Sequence, residues 1–462
     1  VQDPFAPLRS PQNCFLFQPI TVPTSAIMPS ARKPSLGVVF LTIFIDLLGF
    51  TIIFPLFPAM LDYYLRVDGS GGGLGWLLAR IDAFAQLAGS HSNYRVVLFG
   101  GVLGSLYGVL QFLFAPIWGA LSDRHGRRPV LLITVAGTTL SYVLWFFSGS
   151  FLLFIVARLI GGAFAGNLSV ATAAVADVTT RANRAKGMGL VGVAFGLGFL
   201  LGPAIGSIAA FHDLSAHHPW LARLGVNPFS LPALLSLAFS LLNLVWVWFR
   251  FPETLDPAHR DAAEHIRIRH PLHELIVAEA GPARRTNWLY FIFILSFSGM
   301  EFSLPFLAAE RFHYRPTDMF KIFVFLGLVL ILTQGGIVRR AVPRFGEKRV
   351  LLAGLLGVMI GTALVGLSQS SILLYAGLAG IGIGSGLTNP TISALVSLYS
   401  PASQQGRMLG VFRSLGSLAR AIGPIVACGL YWWLGATTTY LLAAAVLLAP
   451  GLMALPLPRP NK

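Results

Sequence analysis

Five ionisable residues stand inside long apolar runs: Asp46, Arg158, Glu301, Arg413 and Arg420. A charge at the centre of a bilayer-crossing helix costs about 2.5–3.5 kcal/mol, so each needs a partner, a wet cavity or a function. At about 1.5 Å per helical residue, Asp46 lies roughly 15 Å beyond Leu36, Glu301 roughly 20 Å beyond Trp288, and Arg420 roughly 21 Å beyond Gly406. All three fall near the middle of their runs. A carboxylate that passes between dry and wet surroundings can load and release a proton. Each unit of pH difference is worth about 1.4 kcal/mol, enough for roughly tenfold accumulation per proton moved. Arg413 and Arg420 are two helical turns apart and share one face. Their guanidiniums would favour a carboxylate or similar anion, which arginine grips through two parallel hydrogen bonds. Two plainer readings stand beside these. Glu301 and Arg420 could form an ion pair that locks helices together, and Arg413, near the end of its run, could snorkel to the surface or serve a gate.

The elements that must hold these side chains are read from composition and hydropathy. With 55% hydrophobic and 11% charged residues, and a mean hydropathy of +0.72, the chain is no ordinary soluble protein. A crossing needs about 20 apolar residues. Twelve candidate spans follow: 36–61, 95–118, 129–148, 151–173, 187–210, 231–252, 286–308, 319–338, 349–367, 371–398, 406–433 and 437–456. Backbone groups in hydrocarbon must bond internally, so the expected fold is an all-α membrane protein, a helical bundle. Gln111, Asn167, Gln334 and Asn389 add polar groups within the spans, read chiefly as helix-to-helix hydrogen bonds.

The net charge of +15 raises the question of nucleic acid. Its distribution answers otherwise: with a cytosolic N-terminus, most Lys and Arg fall in tails and cytosolic loops, the positive-inside pattern. The basic excess orients the chain and meets anionic lipid, and no nucleic-acid motif accompanies it. Both termini are thus expected in the cytosol, in a plasma or endomembrane. Residues 1–33 read as a disordered tail without a signal-peptide pattern. Cys14 and Cys428 imply no disulfide framework.

The polar stretch 253–287 divides the chain into bundles over 34–252 and 288–457, with 458–462 as a closing tail. A long non-cytosolic loop over 62–94 is glycine-rich and flexible in composition. Arg344, Gly346, Lys348 and Arg349 echo the basic turn at Arg124 to Arg128, and Gly423-Pro424 echoes Gly202-Pro203 at nearly the same offset. Matching offsets point to two duplicated six-helix halves.

Between the second and third runs stands a turn ordered as Gly119, Asp123, Arg124, Gly126, Arg127, Arg128. Gly119 and Gly126 let two helix ends approach, and Gly126 can take a positive φ. Asp123 can cap a helix or meet an arginine. This spacing resembles the loop between helices 2 and 3 of the major facilitator superfamily. The fifth run, with Gly192, Gly196, Gly202, Pro203 and Gly206, resembles the glycine/proline signature of that superfamily's drug:proton antiporters. The surroundings of Asp46, Arg158, Glu301, Arg413 and Arg420 are similar to those antiporters, and more narrowly to their animal tetracycline-transporter-like branch.

That resemblance implies twelve helices in two pseudo-symmetric bundles and a cavity walled by spans 1, 4, 5, 7, 8, 10 and 11. It implies proton coupling at Asp46, Arg158 and Glu301, with substrate contacts drawn from Gln111, Asn167, Glu301, Arg413 and Arg420. The basic turn and Asp177 become a cytosolic gate. For Arg158 a purely structural role, donating to nearby carbonyls, stands beside proton relay. The expected function is proton-coupled efflux of amphipathic organic compounds, organic anions included, by alternating access. A uniporter or symporter of a small metabolite, or a receptor or scaffold without turnover, are the alternatives. No metal cluster, nucleophile–base pair or phosphate-binding glycine loop is apparent, so no enzyme and no cofactor is expected, only a proton gradient. The expected partners are a small organic substrate and membrane lipid, around a monomer.

Overall fold

The computed structural model describes residues 36–68, 74–76, 79–80, 83, 95–179, 184–255, 281–400 and 405–458. The tail at 1–33, most of the 62–94 loop, residues 256–280 and residues 459–462 lie outside them. Among the described residues every regular element is helical. Eleven helices among the described residues are long and apolar enough to cross a membrane. The last is really two, because Gly435 (φ 78°, ψ 168°) breaks Gln405–Val446. Twelve passes result among the described residues, and the chain is a multi-pass integral membrane protein.

The first half comprises α1 (Leu36–Val67), α2 (Arg95–His125), α3 (Arg127–Phe146), α4 (Phe151–Val178), α5 (Arg184–Ala209) and α6 (Ser230–Arg250). The second comprises α7 (Pro282–Phe312), α8 (Met319–Phe345), α9 (Glu347–Leu367) and α10 (Ser371–Tyr399). It ends with α11 before Gly435 and α12 after it. Within the first half α1 packs on α5 and α6, and α3 on α4 and α6; within the second α9 packs on α10, and α7 on α11. The halves meet where α2 lies on α11 and α5 on α8.

The repeat is visible in the backbone. Ser150 caps α4 and Ser370 caps α10, each hydroxyl accepting from the backbone N–H three residues on. Gly126 (φ 102°) opens α3 and Gly346 (φ 79°) opens α9, conformations that L side chains resist. Residues in each pair stand 220 positions apart.

Two spans depart from the expected continuous helix. In α1 the regular helix stops at Thr51, and a 3₁₀ turn at Phe54–Leu56 carries Pro55, which lacks the amide proton a regular turn would use. In α4 the helix ends at Phe164 and restarts at Asn167. The break frees carbonyls that side chains of α2 then bond: Trp118 Nε1 donates to Ala163 O at 2.7 Å, and Gln111 Nε2 to Ala165 O at 3.4 Å. Gly166 is required here, since a Cβ would sit 2.3 Å from the Trp118 ring. A third irregularity, the π turn Thr333–Val338 in α8, brings Gln334 to the central cavity.

Close packing of α5 on α1 rests on glycines of the fifth run, Gly202 and Gly206 among them. A Cβ at Gly202 would fall 1.9 Å from Thr51 Oγ1, and one at Gly206 would fall 2.0 Å from the backbone oxygen of Ile52. Backbone cannot move aside cheaply, and overpacking typically costs about 1–3 kcal/mol. Gly206→Val is therefore expected to lower the thermal unfolding midpoint of the detergent-solubilised protein by several degrees. An unchanged midpoint would show that α1 and α5 part more easily than this contact implies.

Candidate functional site

The halves are tight at one end and separate at the other. A Cβ at Gly101 of α2 would lie 2.5 Å from Cys428 Cβ of α11, and one at Gly108 would lie 2.8 Å from Ala421 Cα. On the other seam, a Cβ at Gly327 of α8 would lie 1.6 Å from Leu200 of α5. One turn towards the basic loops the seam loosens, with a Cβ at Gly196 falling 3.6 Å from Leu330, an ordinary contact. Beyond that, no described atom comes within 4 Å of a Cβ at Gly119, Gly192, Gly335 or Gly336. The sequence reading of Gly119 as a close-approach residue is thus corrected: nothing described packs against it. Gly202 and Gly206 serve helix contact, whereas Gly192 and Gly196 border open space.

That opening is a cavity of about 350 Å³ walled by α5, α7, α8, α10 and α11, a size suited to small organic molecules. A smaller recess of about 70 Å³ adjoins it, walled by α1, α2, α4, α5, α7 and α11. The two share Phe195, Phe199, Glu301 and Arg420. The expected wall therefore gains α2, through Gly104, Tyr107, Gly108 and Gln111.

Asp46 faces the recess from α1. Its carboxylate accepts a hydrogen bond from Asn167 Nδ2 at 2.5 Å. The break in α4 makes this possible, because it places Asn167 at the start of a new helical segment. Arg158, buried, lays its guanidinium over the Tyr107 ring at 4.5 Å and also borders the recess. Its Nε has no hydrogen-bond partner, which corrects the reading of that group as a donor to carbonyls. Tyr107 in turn stacks on Phe50 at 4.7 Å.

Glu301 of α7 and Arg420 of α11 stand in the wall common to both spaces. Among the described residues no ion pair joins them, so the helix-locking alternative is not realised. Arg420 instead reaches across to α5, 5.0 Å from the Phe195 ring and 5.7 Å from Phe199. Such cation–π contacts contribute about 0.5–2 kcal/mol. Hydrogen bonds to a charged partner contribute about 1.5–3 kcal/mol each, so an anion can compete for Arg420. The side chain of Arg413 lies outside the described residues. Gln334 and Asn389 line the cavity, a correction to their reading as helix-to-helix bonds.

At the basic end a second network joins α2, α3 and α4 to the segment that follows α6. Arg127, buried, donates from Nε to Asp177 at 2.9 Å and from Nη1 to Ser122 at 2.7 Å and Asp123 at 2.5 Å. Arg128 donates to the Trp248 carbonyl, while Arg124 is exposed. The motif could not say which arginine would be buried. It also gave no sign of Glu253, whose carboxylate accepts the backbone N–H groups of Arg127, Arg128, Thr254 and Leu255. A carboxylate at the first turn of α3 opposes the helix dipole and satisfies otherwise orphaned donors. Glu253→Ala is expected to cost about 2 kcal/mol of stability, read as a lower unfolding midpoint. Retention of the wild-type midpoint would mean water replaces the cap without loss.

Among the described residues, apolar helices in two repeated halves surround a central cavity that holds charged side chains from both, the architecture of a membrane transporter. The Major Facilitator Superfamily pattern matches residues 39–344 and 337–462, and the chain belongs to that superfamily. It is 37% identical over 437 residues to the bovine Major facilitator superfamily domain-containing protein 10, covering 90% of this chain and 91% of that one. It is 26% identical to the class C tetracycline resistance protein of Escherichia coli, covering 84% and 88%. Its fold is similar to the crystal structure of the human organic anion transporter MFSD10 (TETRAN), with a TM-score of 0.72 and 34% identity. That match covers 92% of this chain and 100% of the other.

Proposed function

We propose that this transporter exports amphipathic organic anions in exchange for protons. The observation that carries the reading is the meeting of Asp46, Glu301 and Arg420, from both halves, around one pair of adjoining spaces deep in the spans. Arg420 receives the anionic group of the substrate, which displaces the guanidinium from Phe195 and Phe199. Asp46 is the principal proton carrier. Its one hydrogen bond, from the Asn167 amide, contributes about 1.5–3 kcal/mol to the charged form, which at most offsets the cost of about 2.5–3.5 kcal/mol for a central charge. A proton, a cation or water must share that site, and movement of the halves decides from which side it comes. Arg158 and Glu301 support that exchange, and Gln111 and Asn167 shape the recess.

The basic loops mark the cytosolic side by the positive-inside rule, so the conformation described here opens to the cytosol. Closure would bring α5 onto α8 and α2 onto α11 along their basic ends and part them at the other. Similarity to an organic anion transporter supports the anion part of the reading, and similarity to a tetracycline resistance protein is in keeping with export.

Coupling can be read from the proton side. Proteoliposomes holding a pH-sensitive dye are given a permanently charged organic sulfonate, which cannot cross lipid as a neutral acid. Exchange predicts that the lumen turns alkaline as sulfonate enters. Acidification would indicate symport, and an unchanged dye signal during uptake would indicate a uniporter; either result rejects antiport.

A further inference from the structure

The second-half wall of the cavity carries a row of neutral polar side chains. Ser385, Asn389, Ser393 and Ser397 all line it from α10. Consecutive members are four residues apart, one helical turn or about 6 Å, so the row extends roughly 18 Å. Gln334, presented by the π turn of α8, lies on the same wall. Among the described residues, no hydrogen bond is made by the side chains of Gln334, Asn389 or Ser393. These three side chains are half-exposed, so water in the open cavity can satisfy them, and a ligand that displaces that water must replace its hydrogen bonds.

Helix packing does not account for the row. The glycines of α10 at 377, 380 and 384 pack against α9 at Gly361 and Val358. Nor does the repeat demand it. The positions 220 residues earlier, on α4, are Ala165, Ser169, Ala173 and Asp177, where two alanines interrupt the polar row. Across the cavity, α5 presents Val193, Phe195, Phe199 and Leu200, which cannot hydrogen-bond through their side chains. The cavity thus has a hydrogen-bonding face, an apolar face and a charged end at Glu301 and Arg420.

We infer that Gln334, Asn389 and Ser393 determine specificity for facially amphipathic anions: elongated molecules with hydroxyl or amide groups along one side and hydrocarbon along the other. This deepens, and rests on, the proposed anion export. The acidic group sits at Arg420, the hydrocarbon face lies on α5, and the polar face lies along α10.

The test compares two steroid carboxylates of one skeleton: cholate, whose hydroxyls share a face, and cholanate, which has none. Each competes with a fluorescent organic anion for the purified full-length protein in nanodiscs, below micelle-forming concentrations. Each variant is compared with wild type for the same ligand, so partition into lipid cancels. Asn389→Leu combined with Ser393→Ala should weaken cholate about tenfold, as expected for two lost hydrogen bonds. Cholanate should change by less than about twofold, which also shows that the double variant is folded. Equal weakening of both ligands, or no change in either, would overturn the assignment. Arg420→Ala should weaken both ligands. If it weakens neither, the anion reading fails first and the inference falls with it.

Discussion

Asp46→Asn should abolish uphill transport while leaving downhill exchange of substrate in place. Asparagine keeps the shape and can still bond Asn167, but it cannot take a proton at neutral pH. In proteoliposomes with one unit of pH difference, a wild-type carrier exchanging one proton per substrate reaches about tenfold accumulation. The variant should equilibrate near unity, and counterflow of labelled against unlabelled substrate should persist. That pairing separates loss of coupling from loss of folding. Gradient-driven accumulation in Asp46→Asn at the wild-type level would remove Asp46 from the proton path and leave that role to Glu301 in the shared wall.

Arg420→Ala carries the other large effect. The side chain crosses the cavity to the rings of Phe195 and Phe199 and meets no carboxylate among the described residues. Removing it should weaken anion binding about tenfold to a hundredfold, the equivalent of one lost charge-assisted hydrogen bond or somewhat more. Arg420→Lys should fall between, since lysine restores the charge but not the planar fork. A neutral ligand of the same skeleton should be affected little by either change. Equal losses for charged and neutral ligands would recast Arg420 as a packing residue that props α11 against α5.

The fold was largely legible in the sequence because the bilayer imposes one rule, internal hydrogen bonding, that hydropathy reports directly. The twelve spans needed only apolar length, and the repeat needed only two motif echoes. The breaks were harder. Gly166-Asn167 looks like any small-polar pair in a glycine-rich helix, and nothing local says that Trp118 will fill the space a side chain would occupy. The charged side chains announced themselves by type alone, since a midplane charge is costly wherever it points. Their partners did not. Glu301 with Arg420 was a reasonable ion pair on paper, whereas Arg420 turns to two phenylalanines on the opposite half. The four-residue spacing of Ser385, Asn389, Ser393 and Ser397 was readable, but only the cavity shows which side of α10 it faces. At the basic turn, spacing identified the loop and left open which arginine is buried. Glu253 lies more than a hundred residues away from that loop.

Proton exchange by alternating access is tested most directly by the sign of the driving gradient. Purified protein is reconstituted, the membrane potential is clamped to zero, and uptake of a labelled organic sulfonate is followed at steady state. A lumen one pH unit more acidic than the bath should concentrate the sulfonate about tenfold if one proton is exchanged per substrate, and the reverse gradient should deplete it. Equal steady states under the two gradients, or accumulation only when the bath is the acidic side, would contradict exchange.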